Sequence, residues 1–145
     1  MHKKERQGLR VFEEDLMEVL FKLHIFKNKS QRIKMGEILD IMGKKLTKTQ
    51  LTNIIRRKLE PQGYVDYLPY DGVRLTGSGY QVAQRITRNH RLAETILYDI
   101  FNMPLNKIHE QACHLKHGIS DQTAKYIYRK LKVKKTPFGM PIIME

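Results

Sequence analysis

Along residues 11–26 the apolar positions Phe12, Leu16, Val19, Leu20 and Leu23 recur at helical spacing, with Glu14, Asp15 and Glu18 off that stripe. The pattern breaks at Lys27-Asn28-Lys29-Ser30 and resumes with Ile33, Ile38, Leu39 and Met42, closed by Gly43. In Leu46-Thr47-Lys48-Thr49-Gln50 a Thr can cap a third helix. That helix turns Leu51, Ile54, Ile55 and Leu59 inward and stops at Pro61. The period then changes. Gly63-Tyr64-Val65-Asp66-Tyr67-Leu68 and Val73-Arg74-Leu75 are rich in strand formers, with the turn signal Pro69-Tyr70-Asp71-Gly72 between them. Three helices followed by a hairpin is the order of a winged helix-turn-helix.

Downstream, Leu75-Thr76-Gly77-Ser78-Gly79 leads into a long helix predicted over about 80–101. Pro104 precedes a helix over roughly 105–117, ended by Gly118. Ser120 can cap a last helix reaching about Leu131, and Thr136-Pro137-Phe138-Gly139-Met140-Pro141 reads as an extended tail. The expected fold is mainly α, in two halves, 1–75 and 76–145.

Composition narrows the function. The 145 residues carry 27 Lys+Arg against 15 Asp+Glu, a net charge of +12, with 41% apolar residues. That apolar share supports a folded core rather than wholesale disorder. No run approaches the roughly 18 apolar residues of a membrane helix, and Met1-His2-Lys3-Lys4-Glu5-Arg6 has no apolar stretch behind it, so neither a membrane span nor a signal peptide is expected. The one cysteine, Cys113, cannot form an internal disulfide, which fits a reducing cytoplasm. The positive charge points to an anionic partner.

The charge is concentrated. Ten Lys/Arg lie between Lys27 and Lys58, against the acids Glu37 and Asp40, on the second and third predicted helices. Thr47, Thr49, Gln50, Thr52 and Asn53 open the third helix, where short polar side chains reach base edges while Lys44, Lys45, Lys48, Arg56 and Arg57 take phosphates. The alternative is a solvated basic face, or a wing that contacts protein. Double-stranded DNA is preferred over RNA, because no stacking aromatics accompany the basic residues. Tyr67 and Tyr70 are placed equally well against a sugar-phosphate backbone or in packing. A second basic cluster, Lys125, Arg129, Lys130, Lys132, Lys134 and Lys135, has no assigned role.

The second half carries candidate metal chemistry. His109, Cys113 and His117 are spaced i, i+4, i+8 on one helix face, and His90 and Glu94 form another i, i+4 pair. Imidazole, thiolate and carboxylate are ligand types for first-row transition metals, although on helices such residues are more often surface or core. Cys113 as a nucleophile lacks a supporting motif, so no catalysis and no small-molecule substrate are expected.

These residues resemble the family of metal-dependent repressors typified by the diphtheria toxin repressor and the manganese transport regulator. The resemblance runs through His90-Arg91-Leu92-Ala93-Glu94, Lys107-Ile108-His109-Glu110-Gln111-Ala112-Cys113, His117, Ser120-Asp121 and Pro137-Phe138-Gly139-Met140-Pro141-Ile142, and with the winged helix it covers nearly the whole chain. It implies an N-terminal winged helix followed by a helical dimerisation domain, in the short form without an SH3-like domain. It further implies a homodimer on a partly palindromic operator, activated by Fe(II) or Mn(II). By the same resemblance His90, Glu94 and His109 form one metal site, and Asp15, Glu18, Cys113 and His117 contribute to another.

One position departs from the family. Where the family has a Glu ligand directly before the His, this chain has Lys116. An ammonium repels a metal ion by several kcal/mol at about 4 Å. Lys116 either swings aside while metal binds, or its ammonium takes the metal's place and pairs with Asp15 or Glu18; a surface-turned Lys is the plainer alternative. His114, adjacent to Cys113, points elsewhere and is a weak substitute ligand. Leu92, Ile96, Leu97, Ile100 and Phe101 belong to a dimer surface or a second core. The expected function is a cytoplasmic metal-responsive repressor; the alternative is a metal-independent winged-helix module binding DNA or protein.

Overall fold

The computed structural model describes residues 9–27, 31–43, 46–132 and 134–144. Two compact units are present, Met1–Gln84 and Arg85–Glu145. No helix among the described residues is long and apolar enough to cross a membrane.

In the first unit, α1 (Val11–Phe26) packs on α2 (Met35–Met42), which packs on α3 (Lys48–Ile54). Of the predicted stripe on α1, Leu16 and Leu20 are fully buried while Phe12, Val19 and Leu23 are half-buried; Met17 and Phe21 complete the inward face, and Glu18, expected off the stripe, is buried too. The helix ends are set by side chains. Thr47 Oγ1 accepts from the Gln50 N–H at 3.1 Å while Gln50 Oε1 accepts from the Thr47 N–H at 2.8 Å, a reciprocal cap on α3. Beyond Ile54 the coil widens into a π-turn, Ile55–Leu59, carrying Arg56, Arg57 and Lys58 outward. Leu51, Ile55 and Leu59 face the core at 0% exposure, which keeps the two pieces on one inward stripe.

Strands β1 (Val65–Leu68) and β2 (Gly72–Leu75) form an antiparallel pair in the register Val65↔Leu75, Asp66↔Arg74. Ile33 differs from its expected place in the second helix. It lies before α2 and bridges to Val73, donating to the Val73 carbonyl at 2.7 Å and accepting back at 2.9 Å. This approach dictates Gly72, whose φ is +111° and where a Cβ would lie 2.1 Å from the Ile33 carbonyl oxygen. Arg32 then ties the hairpin to the helices. Its guanidinium donates to the Asp66 carbonyl at 2.6 Å and to Asp66 Oδ2 at 2.9 Å, and Arg74 reaches the same carboxylate at 3.1 Å.

The long helix, α4 (Gly77–Asp99), begins three residues earlier than expected because Thr76 caps it, accepting from the Gly79 N–H at 3.0 Å. In the second unit α5 (Leu105–Leu115) gives way to a 3₁₀ turn, Lys116–Gly118, and then α6 (Asp121–Lys130), capped by Ser120. Their shared core is Leu92, Ala93, Leu97, Ile108, Ala112, Ile119, Ala124, Leu131 and Ile142. Leu92 and Leu97 are core and Ile96 packs against it, whereas Ile100 and Phe101 are exposed. The tail is a tight reversal rather than an extended strand. Lys135 bridges to Pro141, and the buried Thr136 hydroxyl accepts from the N–H groups of Phe138 and Met140.

Candidate metal centre

The middle of α4 departs from an ordinary amphipathic helix. Thr87, Arg88, Asn89, His90, Glu94 and Thr95 are all buried. Such groups must find partners inside. The Arg88 guanidinium donates to Asn89 Oδ1 and, at 2.8 Å, to Asp121 Oδ1, while the Asn89 amide donates to the Ile119 carbonyl. These bonds fix the loop before α6 against α4. Sequence reasoning misses both Arg88 and Asn89; the available signal is a polar run inside a helix flanked by core leucines.

One turn on, the helix presents His90 and Glu94 to α5. A single carboxylate oxygen, Glu94 Oε2, lies 3.2 Å from His90 Nε2 and 3.4 Å from His109 Nδ1. On the other side of the same two imidazoles, Cys113 Sγ lies 3.9 Å from His90 Nδ1 and 3.8 Å from His109 Nε2. The rings are tilted by 50° with centroids 4.9 Å apart. His90, His109 and Cys113 offer ligand atoms within 4.8 Å of one another. Glu94 is 5% exposed, whereas His109 has 64% of its side chain in solvent, so the centre is anchored inside and reachable from outside. The i, i+4 spacing puts His109 and Cys113 on one face of α5, while Ile108 and Ala112 hold that helix in the core. The donor set suits a first-row transition ion.

The remaining candidates divide as follows. His117 lies in the 3₁₀ turn, half-buried, outside this group. Lys116 is only 4% exposed, which removes the surface-turned reading of that side chain. Asp15 and Glu18 lie on α1 in the first unit; Glu18 is buried and 3.4 Å from Lys22 Nζ.

Of the residues expected to meet DNA, Thr47, Lys48, Thr49, Gln50, Asn53, Arg56 and Arg57 are exposed and Thr52 is half-buried, its hydroxyl donating to the Lys48 carbonyl. Lys44 and Lys45 lie outside the described residues. Part of the basic run has structural work instead. Lys27 pairs with Glu37 at 2.8 Å, Arg32 clamps the hairpin, and Lys34 donates to the Tyr70 carbonyl. In the C-terminal cluster Lys134 closes α6, donating to the Leu131 and Tyr128 carbonyls.

Helices and hairpin define a winged-helix fold followed by a helical domain that brings together residues able to hold a metal ion. Residues 76–144 match the family model described as iron dependent repressor, metal binding and dimerisation domain. The chain is 36% identical over 86 residues to the diphtheria toxin repressor of Corynebacterium diphtheriae, covering 59% of this chain and 38% of that protein. It is 30% identical over 112 residues to the iron-dependent repressor IdeR of Mycobacterium tuberculosis, covering 77% of this chain and 46% of that one. The chain thus spans less than half the length of these curated relatives. These relatives are transcriptional repressors, not enzymes. Among solved structures, a manganese-dependent transcriptional repressor in complex with manganese superposes with a TM-score of 0.73 at 30% identity, over 89% of this chain and 57% of that one.

Proposed function

We propose that the protein is a cytoplasmic, metal-responsive transcriptional repressor that binds double-stranded DNA as a homodimer. The observation that carries this reading is the His90–Glu94–His109–Cys113 cluster, built inside the segment that matches a metal-binding and dimerisation domain. His90, Glu94 and His109 are the residues that would hold an Fe(II) or Mn(II) ion. Bound there, the ion supplies charge neutralisation and a cross-link between α4 and α5, favouring whichever arrangement of the chain binds it better.

The DNA face is assigned to residues 1–75. The exposed Thr49, Gln50 and Asn53 are placed to read base edges, with Lys48, Arg56 and Arg57 on phosphates. Dimerisation belongs to residues 76–145, where Ile100, Phe101 and Leu105 expose apolar surface suited to a second copy. A two-fold dimer reads a partly palindromic site.

Selection of bound sequences from a random duplex pool by the full chain, with Mn(II) or with EDTA, tests the proposal. Enrichment of a palindromic site only with metal is expected. Enrichment that is equal in EDTA supports the second reading, a metal-independent winged-helix regulator. The observation favouring that second reading is Lys116, a buried ammonium at a position where the family has a carboxylate ligand. No enrichment under either condition removes DNA as the partner.

A further inference from the structure

Helix α6 divides into two faces. Ala124 and, just past the helix end, Leu131 are buried in the core of the second unit, with Ile127 packed against it. On the opposite side Gln122, Lys125, Tyr126, Arg129 and Lys130 recur at i, i+3, i+4, i+7 and i+8, and all five are exposed. Lys132 and Lys135 continue the charge beyond the helix and are exposed as well. The acid on this helix, Asp121, is bonded to Arg88. Among the described residues, none of Lys125, Arg129, Lys130, Lys132 and Lys135 pairs with a carboxylate.

Cations near a helix C-terminus need no ligand when they offset the helix dipole. Here Lys134 already fills that role, its ammonium donating to the Leu131 carbonyl at 2.6 Å and to the Tyr128 carbonyl while lying over the Tyr128 ring. Lys125 sits in the middle of the helix, and Lys132 and Lys135 lie past its end. Lys125 and Arg129 are like charges one turn apart, an arrangement that destabilises a free helix. The patch is therefore unfavourable to the chain alone and satisfied by a polyanion.

We propose that this face of α6 is a second surface for the phosphates of duplex DNA, independent of base sequence and additional to the face assigned to residues 1–75. The proposal rests on the reading of the chain as a DNA-binding protein. The residue types fit, since Lys and Arg neutralise phosphates while Gln and Tyr hydrogen-bond to them. Lys125 to Arg129 and Tyr126 to Lys130 each span about 6 Å of helix axis. A duplex strand presents a charge about every 3.4 Å of its own axis, so each cation finds a phosphate within reach. An anionic membrane fits less well, because surface helices bind lipid by inserting an apolar face, and that of α6 is in the core. Single strands bind on open aromatic platforms, whereas the Arg129 guanidinium lies over the Tyr126 ring, 5.3 Å from its centroid.

The test combines Lys125→Gln, Arg129→Gln and Lys130→Gln in the full chain, which removes three charges while keeping good helix formers. Affinity for a random-sequence duplex is measured by fluorescence anisotropy at several salt concentrations. The slope of log affinity against log salt is expected to fall by about 0.9 for each cation that meets a phosphate, about 2.7 if all three do. The base preference of the natural chain should be unchanged, and its urea midpoint unchanged or raised. Combined Lys125→Arg and Lys130→Arg, which keeps the charge, should keep the natural slope. A natural slope in the triple variant overturns the α6 surface and leaves the proposed DNA-binding function standing. A slope lost in the charge-keeping variant does the same, by marking a structural role. Binding of polyglutamate that depends on the three charges, with duplex binding that does not, also overturns it and makes the patch a site for an acidic protein. No duplex binding by the natural chain at any salt concentration overturns both readings.

Discussion

Helix α3 and the middle of α4 handle charge in opposite ways. The first turns Leu51 inward and leaves Lys48, Thr49, Gln50 and Asn53 in solvent, with Arg56, Arg57 and Lys58 continuing that face through the π-turn. The second places Arg88, Asn89, His90 and Glu94 inside, each with a named partner. An outward face meets its ligand through water, so its interactions are numerous, screened and replaceable. An inward cluster operates at low dielectric with fixed partners, so each member constrains the tautomer or orientation of the next. In the proposed function, sensing and reading would thereby be separated in kind as well as in position along the chain.

The largest expected effect comes from the scaffold under the outward face. Gly79 lies against the Tyr64 carbonyl, and a Cβ there would be 1.8 Å from its oxygen. Gly79→Ala is expected to cost about 3 kcal/mol or more, beyond ordinary overpacking, because backbone must move. Urea denaturation measures this, and a change below about 1 kcal/mol would show the hairpin to be loosely seated. The next effect contrasts the regions directly. Arg88→Met removes a guanidinium bonded to Asn89 and Asp121 and is expected to cost about 1–3 kcal/mol, the lower part being favoured since Asp121 is exposed. Arg56→Ala, on the outward face, should shift stability by no more than about 0.5 kcal/mol. Equal costs for the two would erase the distinction.

The same contrast explains how much is legible in the sequence. Helix order, the hairpin and the caps Thr47 and Ser120 follow from local rules, since spacing and capping act over a few residues. The pairs His90/Glu94 and His109/Cys113 are visible as i, i+4 spacings. That Cys113 faces the two imidazoles, and that Glu94 bonds both rings, depends on how α4 meets α5, which no spacing encodes. Ile33 escapes the helical pattern for a related reason: one apolar residue fits a helical period equally well when its N–H and carbonyl are bonded to Val73. The basic run looks like one surface in the sequence, yet Lys27, Arg32 and Lys34 are used within the fold, because charge counts do not identify partners.

A smaller effect concerns the outward charges in their proposed role. Removing one cation that neutralises a phosphate should reduce the slope of log affinity against log salt by about 0.9. Arg56→Ala and Arg57→Ala are each expected to do so, measured by fluorescence anisotropy on the selected duplex at several salt concentrations. Arg74→Ala, whose guanidinium is paired with Asp66, should change the slope less. An equal drop would mean that the hairpin also meets phosphate.

The smallest effect isolates an exposed network that resembles the interior cluster in layout but not in strength. Asp66 is bonded by Arg32 first and Arg74 second, and these guanidinium groups hold its carboxyl below the ordinary range despite some opposing burial. A carboxyl whose folded pKa is depressed contributes stability above its unfolded pKa, and loses that contribution as pH falls through the folded value. Asp66→Asn should therefore lower the denaturation midpoint slightly at neutral pH, with the difference from the natural chain vanishing in acid. Because water screens this pair, the gap should also shrink with added salt. An acid-insensitive gap of the same size would mean that Asp66 acts through its carbonyl and backbone position, where Arg32 also bonds at 2.6 Å, rather than through its charge.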